Sequence, residues 1–340
     1  MTYLTAHLPF PPSSSLPPAA SHLVISDTLN SPAQFALYHL VNAALLKQKS
    51  QSPSLIQTRQ TDGGGAGHAV KVIWVDFRGE GRSSWEVVLK KLGTPLPSPT
   101  SPTFIHITPS TLPACIPSSF ASNVNSPRIF PSLSLGAGNA TSDRDGRPTL
   151  KHVYDTLLPH LQTQAQPQSQ RSLNPERDGE EGPELECLLI LDGLSDLLSI
   201  GVPPREIYQF VRAVYSQTRI SKAALVSTLH TDSLSFSSQS SMSFSLSELE
   251  TETETNLLER LLKIGHGVWW RVENLQSGRS GDVMGEISSH PFGTLHSHPN
   301  SSRRSETDKD TYIPRSKPLQ YRLEPSTVRV FAKGTGRGFL

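Results

Sequence analysis

Two short stretches carry residue types that could take part in nucleotide chemistry. Residues 187–192 (CLLILD) form an unbroken apolar run that ends in a carboxylate, Asp192. A run without alternation indicates a strand buried on both faces, and an Asp at the end of such a strand is where P-loop ATPases hold Mg²⁺. The second stretch is residues 27–34 (DTLNSPAQ), which follow an earlier apolar run and stand where a phosphate-binding loop would lie.

Residues 27–34 lack the chemistry of a phosphate-binding loop. The motif G-x-x-x-x-G-K-[ST] needs glycines for close backbone approach, a Lys for the phosphate charge and a hydroxyl for Mg²⁺. Here there is no glycine, Ala33 occupies the Lys position and Gln34 the hydroxyl position. Asp27 adds negative charge, and Pro32 removes an amide donor. The sequence therefore predicts a protein that is not an autonomous ATPase, binds no cofactor and has no catalytic residue. Asp192 is then interpreted as a cap of the turn at residues 194–198.

Two enzymatic alternatives stay open. One is an active ATPase with an atypical nucleotide loop, which would depend on Asp192. The other is a serine hydrolase built around Ser195, since residues 193–197 (GLSDL) partly match the G-x-S-x-G elbow. Leu197 stands where that tight turn requires glycine. The glycine run at residues 63–67 follows a polar stretch and precedes a strand, which is typical of a flexible linker.

Histidines and basic residues suggest weaker hypotheses. His290, His296 and His298 are loosely spaced without a cysteine, and we interpret them as incidental surface residues rather than metal ligands. Basic residues recur in loops beside predicted strand ends, and solvated charge is their simplest explanation. The alternative is a weak nucleic-acid contact surface summed over several subunits, with these candidates: Arg78, Arg82, Lys333 and Arg337, together with Arg303 and Arg304.

Composition limits the class of protein. The 340 residues are 35% hydrophobic, include 28 prolines and 23 glycines, and carry a formal net charge of +1. These values predict one core with long loops and no strong overall attraction to nucleic acid or membrane. Two cysteines, no recognisable signal peptide and no apolar run of ~20 residues predict a reduced intracellular protein without a membrane span. The expected compartment is the cytoplasm, with the nucleus as a second one.

Periodicity predicts the elements that would position these residues. Strand and helix patterns alternate up to residue 264, and strands alone follow at residues 267–274, 283–289, 319–323 and 327–333. The predicted fold class is therefore α/β, a RecA-like, mainly parallel twisted sheet with helices on both faces and a C-terminal antiparallel extension. We expect a disordered tail at residues 1–20 and a single domain at residues 21–340. Low-complexity insertions are expected at about residues 48–69, 109–148, 163–184, 231–247 and 289–317.

Three segments, in this order, resemble the Elongator complex subunit 6 family. They are residues 189–201 (LILDGLSDLLSIG), residues 257–276 (LLERLLKIGHGVWWRVENLQ) and residues 330–334 (VFAKG). The resemblance extends from about residue 21 to the end, apart from the insertions. It implies a RecA-like fold with a degenerate P-loop, in a hetero-hexameric ring with Elongator subunits 4 and 5. That ring binds tRNA and supports modification of the wobble uridine (U34), while another Elongator subunit does the chemistry. The first interpretation is accordingly a structural subunit in tRNA processing.

Overall fold

Nine strands form one continuous sheet in the computed structural model, which describes residues 3–10, 14–49, 70–109, 150–162, 185–231, 254–275, 282–293, 316–324 and 327–333. In chain order the strands are β1 (His22–Asp27), β2 (Lys71–Asp76), β3 (Phe104–Ile107), β4 (Cys187–Asp192), β5 (Ala223–His230), β6 (Gly267–Glu273), β7 (Gly285–Phe292), β8 (Leu319–Glu324) and β9 (Thr327–Ala332). Their order across the sheet is β3-β2-β4-β5-β1-β6-β7-β8-β9.

The sheet has a parallel part and an antiparallel part. Strands β3, β2, β4, β5, β1 and β6 run parallel to one another, whereas the pairs β6–β7, β7–β8 and β8–β9 are antiparallel. All six residues of β1 and of β4 are buried, as expected for strands covered on both faces. In β8 and β9, by contrast, most side chains are partly or fully exposed. The predicted fold class, including the antiparallel extension, is confirmed.

Helices cover both faces of the parallel part. They are α1 (Gln34–Lys49), α2 (Arg82–Lys91), α3 (Lys151–Gln162), α4 (Leu194–Ser199), α5 (Pro204–Ile220) and α6 (Glu254–Leu261). α1 and α2 pack with one set of strand side chains, which includes Leu23 and Ile25 of β1. Val24, between them, belongs to a second apolar cluster with α3, α4, α5 and α6. Because successive strand residues point to opposite faces, the two clusters lie on opposite sides of the sheet.

The N-terminal segment is ordered against the core, so the expectation of a disordered tail at residues 1–20 is wrong over the part that the structure describes. Leu4, Leu8, Phe10 and Leu16 are buried in the cluster that contains α1. The Phe10 ring stacks on Trp270 of β6 with 5.3 Å between centroids. The prolines that suggested disorder break regular secondary structure, but they do not prevent the intervening apolar side chains from being buried.

The insertions expected near residues 48–69, 109–148, 163–184, 231–247 and 289–317 lie mostly outside the described residues. At the start of the last one, β7 continues to Phe292 rather than ending at residue 289. The last two strands, β8 and β9, pair antiparallel with Glu324 opposite Thr327. α2 begins at Arg82 after Gly81, which has a φ of 78°, and no side chain makes a capping hydrogen bond there.

Candidate site at the carboxyl edge of the parallel strands

Four neighbouring parallel strands end in an ionisable residue. They are β2 with Asp76, β4 with Asp192, β5 with His230 and β1 with Asp27. Asp76 lies opposite Asp192 in the strand register, and Asp27 lies opposite His230. Parallel strands place all four side chains at one edge of the sheet, where open α/β sheets bind their ligands. The three carboxylates are at most 1% exposed, so their charges require partners within the protein.

Arg78 supplies one shared cation for this edge. It lies in the loop after β2, and its side chain is 10% exposed. Its Nε donates to Asp192 Oδ1 at 3.0 Å, its Nη1 lies 3.1 Å from His230 Nε2, and its Nη2 lies 3.9 Å from Asp27 Oδ2. The guanidinium therefore connects the ends of β4, β5 and β1. Burial by itself lowers the pKa of Arg78. The nearby carboxylates, Asp192 and Asp27 foremost, outweigh burial, and the pKa is raised above its ordinary value.

The loop at residues 27–34 is closed by its own carboxylate. The backbone N–H of Ala33 donates to Asp27 Oδ2 at 2.7 Å, and Thr231 Oγ1 donates to the Asp27 carbonyl at 3.0 Å. The Gln34 side-chain amide donates to Glu80 at 3.4 Å. An amide that could have contacted a phosphate is thus already paired with an anion, and Asp27 is buried beside it. These residues do not fit a nucleotide phosphate, because a second anion there would meet a buried carboxylate.

Asp192 has a different structural role from the one predicted. α4 begins after Gly193, and no side chain donates or accepts a capping bond there. Instead Asp192 Oδ1 accepts hydrogen bonds from Arg78 Nε and from Thr228 Oγ1, the latter at 2.8 Å. Thr228 Oγ1 also accepts the Gly193 N–H at 2.8 Å. Asp192 therefore joins β4, β5 and the Arg78 loop, and the interpretation of Asp192 as a helix cap is wrong.

Burial controls the acidity of Asp192. Removal from water raises the pKa of Asp192 to about 6, even though Arg78 and the Thr228 hydrogen bond lower it. Its second oxygen, Oδ2, has no hydrogen-bond partner within the described residues. A carboxylate with one satisfied and one unsatisfied oxygen holds its proton more tightly than an exposed Asp does.

Asp76 holds the backbone of the Arg78 loop. Its two carboxylate oxygens accept the N–H groups of Gly79 and Gly81, both at 2.8 Å. His106 Nε2 of β3 lies 3.4 Å from Asp76 Oδ2. Burial alone would raise the pKa of Asp76, but the hydrogen bonds from His106, Gly81 and Gly79 outweigh it and lower that pKa. Asp76 thus anchors the loop backbone while Arg78 anchors its side chain.

Ser195 is close to this edge, but its contacts differ from those of a hydrolase nucleophile. Its Oγ accepts the backbone N–H of His230 at 2.8 Å, and the residue is 3% exposed. The ring nitrogens of His230 face Asp27 Oδ1, at 2.6 Å, and Arg78 instead. A serine nucleophile needs an imidazole nitrogen within hydrogen-bond distance of its Oγ. The nitrogens of this imidazole contact Arg78 and Asp27, and not Ser195 Oγ.

The remaining histidine candidates form no metal cluster among the described residues. His290 on β7 contacts the Ser288 hydroxyl at 2.9 Å and packs against the Trp269 ring at 5.2 Å. His296 and His298 lie outside the described residues. His290 is therefore placed on the surface of the antiparallel extension, away from the carboxyl edge of β2 and β4.

The basic candidates occupy separate environments. Arg82 donates to the Pro97 carbonyl, and its guanidinium lies 5.2 Å from the Phe104 ring centroid. Lys333, just after β9, has a 61% exposed side chain with Nζ 3.0 Å from Glu286. β2 and β9 lie near opposite ends of the sheet, so Arg78 and Lys333 do not share one surface patch. Arg303, Arg304 and Arg337 lie outside the described residues.

Three members of this site were absent from the sequence-based candidates: Asp76, Thr228 and His230. A signal for Asp76 and His230 exists in the sequence, because parallel strands that end in Asp or His place those residues at one edge. The pairing with Arg78 has no such signal. Arg78 lies 114 residues from Asp192 and 152 residues from His230 along the chain.

Comparisons with known proteins add a likeness of fold. No protein-family model matches the chain, and no curated protein matches it significantly. Among solved structures it is similar to the KaiC-like protein PH0186 from the hyperthermophilic archaeon Pyrococcus horikoshii OT3, with a TM-score of 0.45 and 6% identity. The alignment covers 92% of this chain and 91% of that one. At this TM-score and identity the likeness carries no inference about the activity or the partners of this chain.

Among the helices in the described part of the chain, none combines the length and the apolar character needed to cross a bilayer.

Proposed function

We propose that this chain is a non-catalytic, RecA-like subunit that acts by assembling with other proteins. The observation that carries the proposal is the contact between Asp27 Oδ2 and the Ala33 N–H, at 2.7 Å, inside the loop where an ATPase would hold phosphate. Arg78 Nη2, 3.9 Å from Asp27 Oδ2, supplies positive charge beside that carboxylate, and His230 Nδ1 lies 2.6 Å from its other oxygen. Because the protein's own side chains satisfy these groups, a nucleotide would have to displace buried ion pairs in order to bind.

The assembly that fits best is the Elongator ring. We infer that the chain is an Elongator subunit 6, in a hetero-hexamer with subunits 4 and 5 that binds tRNA and supports wobble-uridine modification in the cytoplasm and nucleus. The segments that carry the resemblance lie on β4 with α4, on α6 with β6, and at the end of β9. Strands β4 and β6 belong to the central sheet, so the resemblance rests on framework elements rather than on insertions.

Assembly is tested by co-expression with the fourth and fifth Elongator subunits. Native mass spectrometry, with and without tRNA, is expected to find a complex containing two copies of each of the three chains. A matched control replaces this chain with its Leu191→Asp variant, whose buried charge in β4 disrupts the fold. If the wild-type chain remains a stable monomer in the presence of both partners, the proposed assembly is wrong.

The absence of catalysis is tested separately on the purified chain. Calorimetry with Mg-ATP is expected to detect no binding, and the Asp192→Asn variant is expected to behave like the wild type. ATP turnover that is lost on Asp192→Asn would instead support the ATPase alternative. An esterase activity lost on Ser195→Ala would support the hydrolase alternative.

A further inference from the structure

The contact between Arg78 and His230 constrains the protonation of the imidazole. Arg78 Nη1 lies 3.1 Å from His230 Nε2. A guanidinium has N–H donors only, so Nε2 must accept in this contact and cannot carry a proton. His230 Nδ1, on the other side of the ring, lies 2.6 Å from Asp27 Oδ1. In this contact the imidazole is neutral and carries its single proton on Nδ1, the nitrogen that lies beside Asp27.

The surrounding charges favour the entry of a second proton. Asp27 of β1 faces His230 directly, and Asp196 of α4 acts in the same direction. Both raise the pKa of His230, whereas burial and Arg78 lower it, and the overall shift is upward. Asp192 of β4 and Glu80 of the loop face Arg78. Two forces thus compete at one ring: the Asp27 carboxylate attracts a proton, and the guanidinium occupies the atom that would take it.

We propose that a proton and Arg78 compete for Nε2 of His230, so that acidification exchanges the ion-pair partners at the carboxyl edge. At higher pH, Arg78 connects β4, β5 and β1 through Asp192, His230 and Asp27. When Nε2 gains a proton, its N–H points at another donor and the contact with Arg78 breaks. The imidazolium then pairs with Asp27, and Arg78 keeps Asp192, to which its Nε already donates at 3.0 Å.

The loop backbone does not need to open for this exchange. Asp76 holds the Gly79 and Gly81 amides independently of Arg78. The change is confined to the Arg78 side chain, which loses its links to β5 and β1. A cation that is 10% exposed in the present arrangement becomes available to solvent or to an anionic partner.

The exchange is measurable in the full-length protein by NMR. His230 ring signals, assigned by their absence in His230→Gln, report its protonation between pH 8 and 5, and the Arg78 Nε–H signal reports the guanidinium. Both signals are expected to change with one midpoint in the wild type and also in Asp192→Asn, which removes the titration of the carboxyl that accepts the Arg78 Nε–H. In Arg78→Met the proton affinity of His230 is expected to rise about tenfold, because a competing donor and a positive charge are removed.

Two controls separate this exchange from general effects of mutation. Arg82→Met also removes a guanidinium near α2, but one that contacts Pro97 and Phe104, and should leave the His230 midpoint unchanged. Asp27→Asn should lower the proton affinity of His230. The proposal is overturned if Arg78→Met leaves the midpoint in place, or if the wild-type Arg78 signal does not respond to pH. Should Arg78→Met fail to fold, a pH-independent wild-type Arg78 signal alone refutes it.

Discussion

Side chains at the carboxyl edge of the parallel strands pack so closely that a single added carbon atom would overlap a neighbour. Gly193 illustrates this, because it has a φ of 84° and joins β4 to α4. A Cβ at this position would lie 2.5 Å from Arg78 Cγ and 2.5 Å from Asp196 Oδ2. Glycine is needed here both for its backbone conformation and for the close approach of Arg78.

The Gly193→Ala variant is expected to be less stable than a matched control. Gly201→Ala shares the left-handed backbone, with φ of 88°, but a Cβ there would meet nothing within 4 Å. The control should lose only about 1–2 kcal/mol from backbone strain. Gly193→Ala should lose roughly 1–3 kcal/mol more, from steric overlap. Urea unfolding of both variants measures the difference, and equal losses would contradict the role of Arg78 packing.

Asp192 should make stability depend on pH. Burial raises its folded-state pKa to about 6, above the ordinary value of 3.8 for an Asp, so the folded state binds the proton more tightly than the unfolded state. Its contribution to stability is therefore fully present below pH 3.8 and is lost as pH rises through about 6. Over that interval the slope approaches about −1.4 kcal/mol per pH unit. Asp192→Asn should lack this component.

The measurement is the difference in unfolding free energy between the wild type and Asp192→Asn, taken from pH 4 to 8. The wild type should lose stability relative to the variant up to about pH 6, and the difference should then level off. A constant difference over the whole range would mean that Asp192 is ionised in the folded protein throughout.

At the scale of elements, the N-terminal segment acts as part of the core. The Leu4 N–H donates to His39 Nδ1 of α1 at 3.3 Å, and the Tyr3 hydroxyl donates to the Phe35 carbonyl. Burial lowers the pKa of His39 to about 3, so the ring stays neutral and can accept this bond. Residues 3–10 therefore attach to α1 by hydrogen bonds as well as by apolar packing.

Phe10→Ala tests this attachment. The Phe10 side chain is 2% exposed and stacked on Trp270, so its truncation should cost about 3 kcal/mol or more. His7→Ala, at an exposed position of the same segment, should change stability by less than about 0.5 kcal/mol. Guanidinium unfolding followed by tryptophan fluorescence measures both. Similar small effects in the two variants would show that the segment does not contribute to the folded state in solution.

At the scale of the whole molecule, charge is balanced rather than concentrated. The net charge is +1, and three basic residues in the described part of the antiparallel extension, Arg322, Arg329 and Lys333, have acidic neighbours. Arg322 contacts Asp282 and Glu324, and Lys333 contacts Glu286. Such a surface gives a single chain little attraction to a polyanion. RNA binding by an assembled ring would require several subunits to contribute.

The isolated chain should therefore bind tRNA no more tightly than about 10⁻⁴–10⁻⁶ M, the range of non-specific binding. Between 50 and 200 mM salt, the slope of log affinity against log salt should be shallow, because few phosphates are neutralised. Fluorescence anisotropy with labelled tRNA measures both quantities, with Lys333→Ala expected to have little effect. Tight, steeply salt-dependent binding by the single chain would contradict this view of its surface.

The sequence by itself determined the framework, because hydrophobic runs and their period depend on neighbouring residues. β4 has the predicted bounds, and the change from helix-separated strands to consecutive strands predicted the antiparallel extension. It also determined that residues 27–34 lack glycine, lysine and hydroxyl groups at the motif positions. The N-terminal segment was mispredicted, because its burial depends on α1 and Trp270, which lie far along the chain.

Only the tertiary structure decided what replaces the phosphate site. Asp27, Arg78, Asp192 and His230 come from four separate parts of the chain, and the strand order β2-β4-β5-β1 brings them within ion-pair distance. The spacing of these residues along the chain does not predict that strand order. Burial then sets the energetics: a carboxylate removed from water needs a partner, and Arg78 is the cation that this sheet edge provides. The position of Asp192 was evident from the sequence, and its role depended on a residue 114 positions away.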